Sequence, residues 1–204
     1  MLVFEQRVKE AETALCKIDP KLGNHINSGP TFDYAPFNKE PFEALVHAVI
    51  AQQLSVKSAR AIRQRVHMLL AKDKKDALAF SKISSTELKQ AGLSQAKTNT
   101  VQTLTQYALD DNNQFDKLRR CSDTDIKERL CQLKGVGPWT VDIFLMFGLK
   151  RLDVFAAGDL GLRKAVKLIN KSNTLPTPAE CAKIAKKWQP YRTIAAWHLW
   201  RTVD

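Results

Sequence analysis

The segment Leu133-Lys134-Gly135-Val136-Gly137-Pro138-Trp139-Thr140, with Asp159 placed 20 residues beyond Trp139, holds the residues of this chain best suited to chemistry. Gly135 and Gly137 admit a tight hairpin with positive φ and present no Cβ to block a close approach to the backbone. Pro138 suits the first position of a new helix, where a missing N–H is tolerated. N–H groups at such a helix start, backed by the helix dipole, can hold an anion such as a phosphate. An ordinary link between two helices fits as well, because Gly-x-Gly-Pro occurs in many turns. Asp159 follows Gly158 and opens a helix, a place where aspartate serves well as an N-cap. A carboxylate fixed in direction there can also steady an oxocarbenium-like sugar or orient a water towards it.

Aromatic residues accompany these groups. Trp139, Ile143 and Phe147 fall at i, i+4 and i+8, on one face of the helix after the hairpin. Trp188 and Tyr191 precede Trp197 and Trp200 near the end of the chain. Most aromatics at helical spacing belong to the core, but two tryptophans beside a carboxylate can grip a planar base. His25, His47, His67 and His198 show no ligand spacing and no serine or cysteine partner pattern, and His198 reads as structural. Asp142 lies on an apolar helix, where burial requires it to be hydrogen bonded.

Nearly all the segments that must position these groups read as helix. Phe4, Val8, Ala11, Leu15 and Ile18 form one stripe, and a loop rich in Gly, Pro and Asn follows from Asp19 to about Lys39. Pro41 opens a helix with Phe42, Leu45, Val46, Val49 and Ile50 on one face. Ser55 interrupts it, and Val56, Ala59, Ile62, Val66 and Leu69 continue as another stripe. Ser84 to Glu87 is a capping box, Gly92 a stop and Ser94 a start, with Val101, Leu104 and Ala108 facing inward. The helix predicted over 124–133 enters the hairpin, and 138–148 leaves it, apolar on nearly all sides. Asp159 to Ile169, a capped helix from Thr177-Pro178, and a last helix restarted by Pro190 complete the chain. No alternation of period two is sustained. The expectation is an all-α domain of about ten helices.

The whole chain of 204 residues, 44% of them hydrophobic, can bury a core as one domain or two packed lobes. Its formal charge of +11 favours a polyanionic partner, nucleic acid first, and the scattered basic residues indicate a folded charged face. Cys16, Cys121, Cys131 and Cys181 match no zinc or iron–sulfur spacing and read as reduced core thiols of an intracellular protein. The start, Met1-Leu2-Val3-Phe4-Glu5, carries no secretory signal, and the longest apolar stretch, near 143–149, is too short to span a bilayer. Lys72-Asp-Lys-Lys75 reads as a solvated loop rather than a nuclear address.

Together these residues resemble the helix-hairpin-helix/Gly-Pro-Asp superfamily of DNA base-excision glycosylases, and within it the DNA-3-methyladenine glycosylase II group. The strings that carry the resemblance are Ala48-Val-Ile-Ala-Gln-Gln-Leu-Ser55, Gly92-Leu-Ser-Gln-Ala-Lys97, Leu133 to Thr140, Asp153 to Arg163, and Trp188-Gln-Pro-Tyr-Arg192 through Trp200. The resemblance implies a single all-α glycosylase domain over 1–204, two-lobed, with the helix-hairpin-helix at about 124–148. It implies that Asp159 is the catalytic aspartate and that Trp139 and Trp200, with Phe147 on the same face as Trp139, line the base pocket. Gln53 matches the wedge that replaces a flipped nucleotide, with Ser55 beside it in the minor groove. Lys134, Gly135, Val136 and Gly137 would hold a backbone phosphate and Lys97 a further one. A structural Na⁺ or K⁺ would sit on the backbone of Leu133 and Val136, and no other cofactor is implied.

Two departures refine this expectation. Relatives that also cut the DNA backbone carry a lysine two residues past the second hairpin glycine, where this chain has Trp139. An indole forms no Schiff base, so the resemblance implies a monofunctional hydrolase that leaves an abasic site. Only about forty residues precede the first matched helix, so the N-terminal β domain of larger bacterial alkylation glycosylases is expected to be absent. The implied activity is release of alkylated purines, of the 3-methyladenine and 7-methylguanine class, from double-stranded DNA by base flipping between two helical lobes. That is DNA dealkylation, the first step of base excision repair. The expected protein is a monomer, cytoplasmic at the nucleoid in a prokaryote and nuclear in a eukaryote, with no membrane partner. Two alternatives stay open: a non-enzymatic helix-hairpin-helix DNA-binding protein, and a glycosylase for oxidised or mismatched bases.

Overall fold

The computed structural model describes residues 2–37, 39–70, 76–111 and 114–203. The basic stretch at 72–75 lies outside them. Among the described residues the chain forms thirteen α-helices, two short 3-10 turns and no strand. In chain order α1 is Leu2–Ile18, α2 Pro20–Ser28, α3 Pro41–Ala51, α4 Val56–Met68, α5 Ala77–Phe80, α6 Ser85–Gln90 and α7 Gln95–Asp110. Then follow α8 Gln114–Arg119, α9 Asp123–Leu130, α10 Pro138–Phe147, α11 Leu160–Ile169, α12 Pro178–Ala185 and α13 Arg192–Trp200. More helices form than the ten expected. Helices as short as α5 and α8 show no periodicity, and α2 occupies ground read as a loop.

The helices divide into two compact units, residues 1–34 with 150–204, and residues 35–149. In the first unit α1 packs on α2 and α13 and buries Val8, Ala11 and Leu15, while Ile18, expected on the same stripe, is 44% exposed at the helix end. Asp19 explains α2, which glycine and asparagine had masked in the sequence. Its Oδ1 accepts the N–H groups of Lys21 and Leu22, and Pro20 occupies the first helical turn. Asp19 Oδ2 accepts the indole N–H of the fully buried Trp188 at 2.9 Å and lies 2.7 Å from the Lys187 ammonium. Burial pushes the Asp19 carboxyl up, but these bonds and the Lys187 charge together hold it below its ordinary value. Its contribution to stability is therefore present above the ordinary carboxylate range and is lost as pH falls through the depressed value.

Trp197 is also core, its ring 4.5 Å from that of Phe32, and His198 is buried with Nε2 2.9 Å from Glu12 Oε1. The last helix begins at Arg192, two residues after the proline expected to restart it, with Tyr191 at the N-cap.

In the second unit α3 is buried along its whole length from Pro41 to Ile50, not on one face as expected. It is enclosed by α4, α7 and α10, so Glu43 and His47 are buried with the apolar residues. Ser55 caps α4, whose Ala59, Ile62 and Val66 are buried while Val56 and Leu69 of the expected stripe are exposed at its two ends. The Ser84–Glu87 capping box starts α6, and Gly92 ends it with φ of 106°. Helix α9 stops at Leu130, three residues before the expected end, and residues 131–137 form the hairpin into the buried α10. On α10, Asp142 is paired with Lys127 at 2.6 Å, the bonded role its burial demands. The cysteines differ from expectation: all four are free thiols, but Cys181 alone is buried and Cys131 is exposed. No helix among the described residues is long and apolar enough to cross a membrane.

Candidate active site

The hairpin between α9 and α10 uses its two glycines differently. Gly135 has φ of 88°, and a Cβ there would lie 1.9 Å from Thr100 Oγ1 on α7. Glycine is required on both counts. Gly137 is in ordinary extended backbone with φ of −106°, correcting the expectation of positive φ at both, and a Cβ there would meet nothing within 4 Å. It is the residue that faces open space. Val136 is buried and its N–H closes the turn on the Leu133 carbonyl at 3.0 Å, so Val136 builds the hairpin. Lys134 is exposed. Pro138 begins α10, and Gly137 at its N-cap has no side chain with which to cap it. Backbone N–H groups at such a start are a site for an anion.

Gln52, which sequence reasoning passed over, ties this hairpin to the turn between α3 and α4. Its Nε2 donates to the Gly135 carbonyl at 2.9 Å and to Thr140 Oγ1 at 2.8 Å. Lys97 completes the arrangement from α7, donating to the carbonyls of Ile50 at 2.8 Å and Gln52 at 2.7 Å. Burial holds the Lys97 pKa below the ordinary lysine value. Lys97 was expected to meet a phosphate. The structure instead commits its ammonium to the C-terminal carbonyls of α3, because the chain needs donors where that helix ends.

The next residue, Gln53, is exposed with φ of 54°, a left-handed conformation rare for a side chain of this kind. Outliers held by surrounding bonds cluster at working sites. Ser55 sits exposed at the α4 N-cap, its Oγ accepting the Ser58 N–H at 3.2 Å. On α10, Trp139, Ile143 and Phe147 form the half-buried face. Phe147 packs on Phe37 with ring centroids 4.9 Å apart, which makes it part of the packing of this unit.

In the first unit Asp159 is half-buried at the N-cap of α11. Its Oδ1 accepts two bonds, from the Leu162 N–H at 2.8 Å and from the Trp200 indole N–H at 2.8 Å. Gly161 makes room for this approach: a Cβ there would lie 3.0 Å from Asp159 Oδ1 and 3.1 Å from Trp200 Cδ1. At Gly158, just before the aspartate, a Cβ would meet nothing within 4 Å, so the backbone there is open. The segment that presents Asp159 is pinned to the start of α13. Thr193 Oγ1 donates to the Arg151 carbonyl at 2.6 Å and accepts the Val154 N–H at 3.1 Å. Arg192 grips Asp153 through both carboxylate oxygens, at 2.7 and 3.0 Å. The helix that supplies Trp200 therefore also holds the loop that supplies Asp159. Of the four tryptophans, Trp188 and Trp197 are core, and Trp200 directs its polar edge at the carboxylate.

The model of the family described as HhH-GPD superfamily base excision DNA repair protein matches residues 46–190. The chain belongs to that family. Curated members similar to it include DNA-3-methyladenine glycosylase 1 of Schizosaccharomyces pombe, 32% identical over 80% of this chain and 73% of that protein. The alkylbase DNA glycosidase-like protein mag2 of the same yeast is 28% identical over 95% of this chain and 92% of its own length. Among solved structures, the 3-methyladenine DNA glycosylase of S. pombe in complex with abasic DNA superposes with a TM-score of 0.85 at 28% identity, covering 95% of this chain and 96% of that one.

For an HhH-GPD chain the open space at Gly137 yields a direct test. Gly137→Ala should leave stability within about 1 kcal/mol of the parent, the loss of a glycine N-cap being its main effect. The added methyl group stands on the open side of the hairpin, where a phosphate would approach. The dissociation constant for duplex DNA, measured by fluorescence anisotropy, should rise about tenfold, equivalent to ~1.4 kcal/mol. An unchanged constant would remove this face of the hairpin from DNA contact.

Proposed function

We propose that the chain is a monofunctional DNA glycosylase that hydrolyses the N-glycosidic bond of alkylated purines in duplex DNA and leaves an abasic site. The observation that carries this reading is the Asp159 carboxylate, fixed through Oδ1 by a helix N-terminus and by Trp200 beside the open backbone of Gly158. Similarity to proteins named for 3-methyladenine supports the choice of lesion. The hairpin receives a phosphate through Gly137 and the N-terminus of α10, with exposed Lys134 adding charge. Gln53, at its exposed strained turn, fills the gap left in the duplex when the damaged nucleotide swings out. Extrusion costs a few kcal/mol and is easiest for weakened pairs.

A purine methylated at N3 or N7 carries positive charge and leaves as the neutral base, taking the electron pair of the C1′–N bond. It needs no acid. Asp159 offsets the positive charge that develops on the deoxyribose and directs the water whose oxygen bonds to C1′ and whose proton passes to the carboxylate and on to solvent. Position 139 is tryptophan, so no amine is present there to form an imine with C1′ and cut the strand. Backbone carbonyls such as those of Leu133 and Val136 would suit a hard cation rather than a transition metal. A Na⁺ or K⁺ bound there would add positive charge beside the phosphate.

Incubation with duplexes carrying 3-methyladenine, 7-methylguanine, ethenoadenine, 8-oxoguanine or uracil, followed by chromatography of free bases, tests this reading. Methylated purines should be released, with the strand intact until alkali and no adduct trapped by borohydride. Release of 8-oxoguanine or uracil alone would move the protein to another lesion class. Release of nothing would leave a DNA-binding module.

A further inference from the structure

Helix α3 carries two polar side chains along its buried length, Glu43 and His47, one turn apart. His67, in the last turn of α4, joins them. His47 Nε2 and His67 Nε2 are 2.9 Å apart, and Glu43 Oε1 lies 3.6 Å from the first and 3.4 Å from the second. Two imidazole lone pairs at that separation repel unless a proton or a cation lies with them. The three atoms form a compact triangle. An ion at the ordinary bond length of about 2.0–2.2 Å from each of them fits just above its plane.

We propose that Glu43, His47 and His67 bind one divalent transition-metal ion of borderline softness, of which Zn²⁺ is the type. Two imidazoles and one carboxylate are a donor set for such an ion, not for Mg²⁺ or Ca²⁺, which take oxygen. Three protein ligands leave at least one position to water, and the His67 side chain, 28% exposed, gives the route in. The metal staples α3 to α4. Those two helices are joined by the turn that presents Gln53, so the ion ties together the two helices that flank that turn. This differs from the expectation that the histidines lack ligand spacing: Glu43 and His47, at i and i+4 on α3, supply two of the three ligand atoms. The third ligand lies 20 residues further on and arrives through helix packing.

The test uses the full chain stripped with a chelator and titrated calorimetrically with Zn²⁺, then with Co²⁺ as a spectroscopic probe. One saturable site per chain is expected, with Co²⁺ ligand-field bands of a nitrogen and oxygen set and no thiolate charge transfer. At a hundredfold excess of Zn²⁺ over its dissociation constant the melting temperature should rise by about 5–10 °C. His67→Gln and the near-isosteric Glu43→Gln should each weaken binding at least about tenfold. Cys131→Ser, which removes an exposed thiol, should leave binding unchanged. Absence of saturable binding to the parent chain overturns the proposal. So does binding that survives both ligand substitutions, or that vanishes with Cys131. In those cases the three side chains are held by shared protons alone.

Discussion

Asp159→Asn should reduce the rate of base release by about 10²–10⁴-fold, the range for loss of a charged or proton-handling group at a reacting centre. This substitution isolates charge from architecture. Asparagine caps a helix as well as aspartate does. Its side-chain oxygen can still accept the bonds that Oδ1 now takes from Leu162 and Trp200. The folded state and the direction of the group are therefore kept, and only the negative charge is lost. Asp159→Ala is the less informative variant. It removes the cap, at about 1 kcal/mol, and the part-buried bond from the Trp200 N–H, at about 0.5–1.5 kcal/mol more. Single-turnover release of 3-methyladenine, measured beside anisotropy on DNA with an abasic-site mimic, separates the steps. Binding by the asparagine variant should stay within a few-fold of the parent, since the glycine hairpin is untouched. A release rate equal to the parent's would take Asp159 out of the mechanism.

Gly135→Ala should destabilise the protein by about 2–5 kcal/mol and lower its melting temperature by roughly 5–15 °C. Two effects add. The backbone at 88° places any Cβ in the left-handed region, and that Cβ would lie 1.9 Å from Thr100 Oγ1, an atom in a part-buried bond to the Ala96 carbonyl. Thr100 cannot swing away without losing that bond. The damage should reach DNA binding as well, because the Gly135 carbonyl receives the Gln52 amide that joins the hairpin to the Gln53 turn. Combining Gly135→Ala with Thr100→Ala should recover most of the steric part, since only the Cβ at position 100 stays close at 3.0 Å, and leave the backbone strain, about 1–2 kcal/mol. A single variant as stable as the parent, by thermal unfolding, would mean the hairpin does not have this geometry. Gly137→Ala, on the open side of the same turn, is the internal comparison: it should spare stability and affect only DNA.

What the sequence determined by itself is the set of features written within about four residues. Ser84, Ser94, Asp159 and Thr177 each announce a helix start through a side chain that reaches its own backbone, and each caps one. The glycine hairpin, Pro138 and the apolar α10 are legible for the same reason. Legibility failed at α2, where the Asp19-Pro20 start was outweighed by glycine and asparagine. The aspartate's second set of bonds, to Trp188 and Lys187, comes from the other end of the chain. Tertiary structure alone showed that the Trp200 indole N–H bonds directly to Asp159, while Trp188 and Trp197 turn into the core. It also turned Lys97 inward, placed Gln52 across 83 residues onto Gly135, and brought His67 to Glu43 and His47. Such pairings depend on how whole helices pack, a sum of many contacts far apart in the chain. No short stretch of sequence contains that sum.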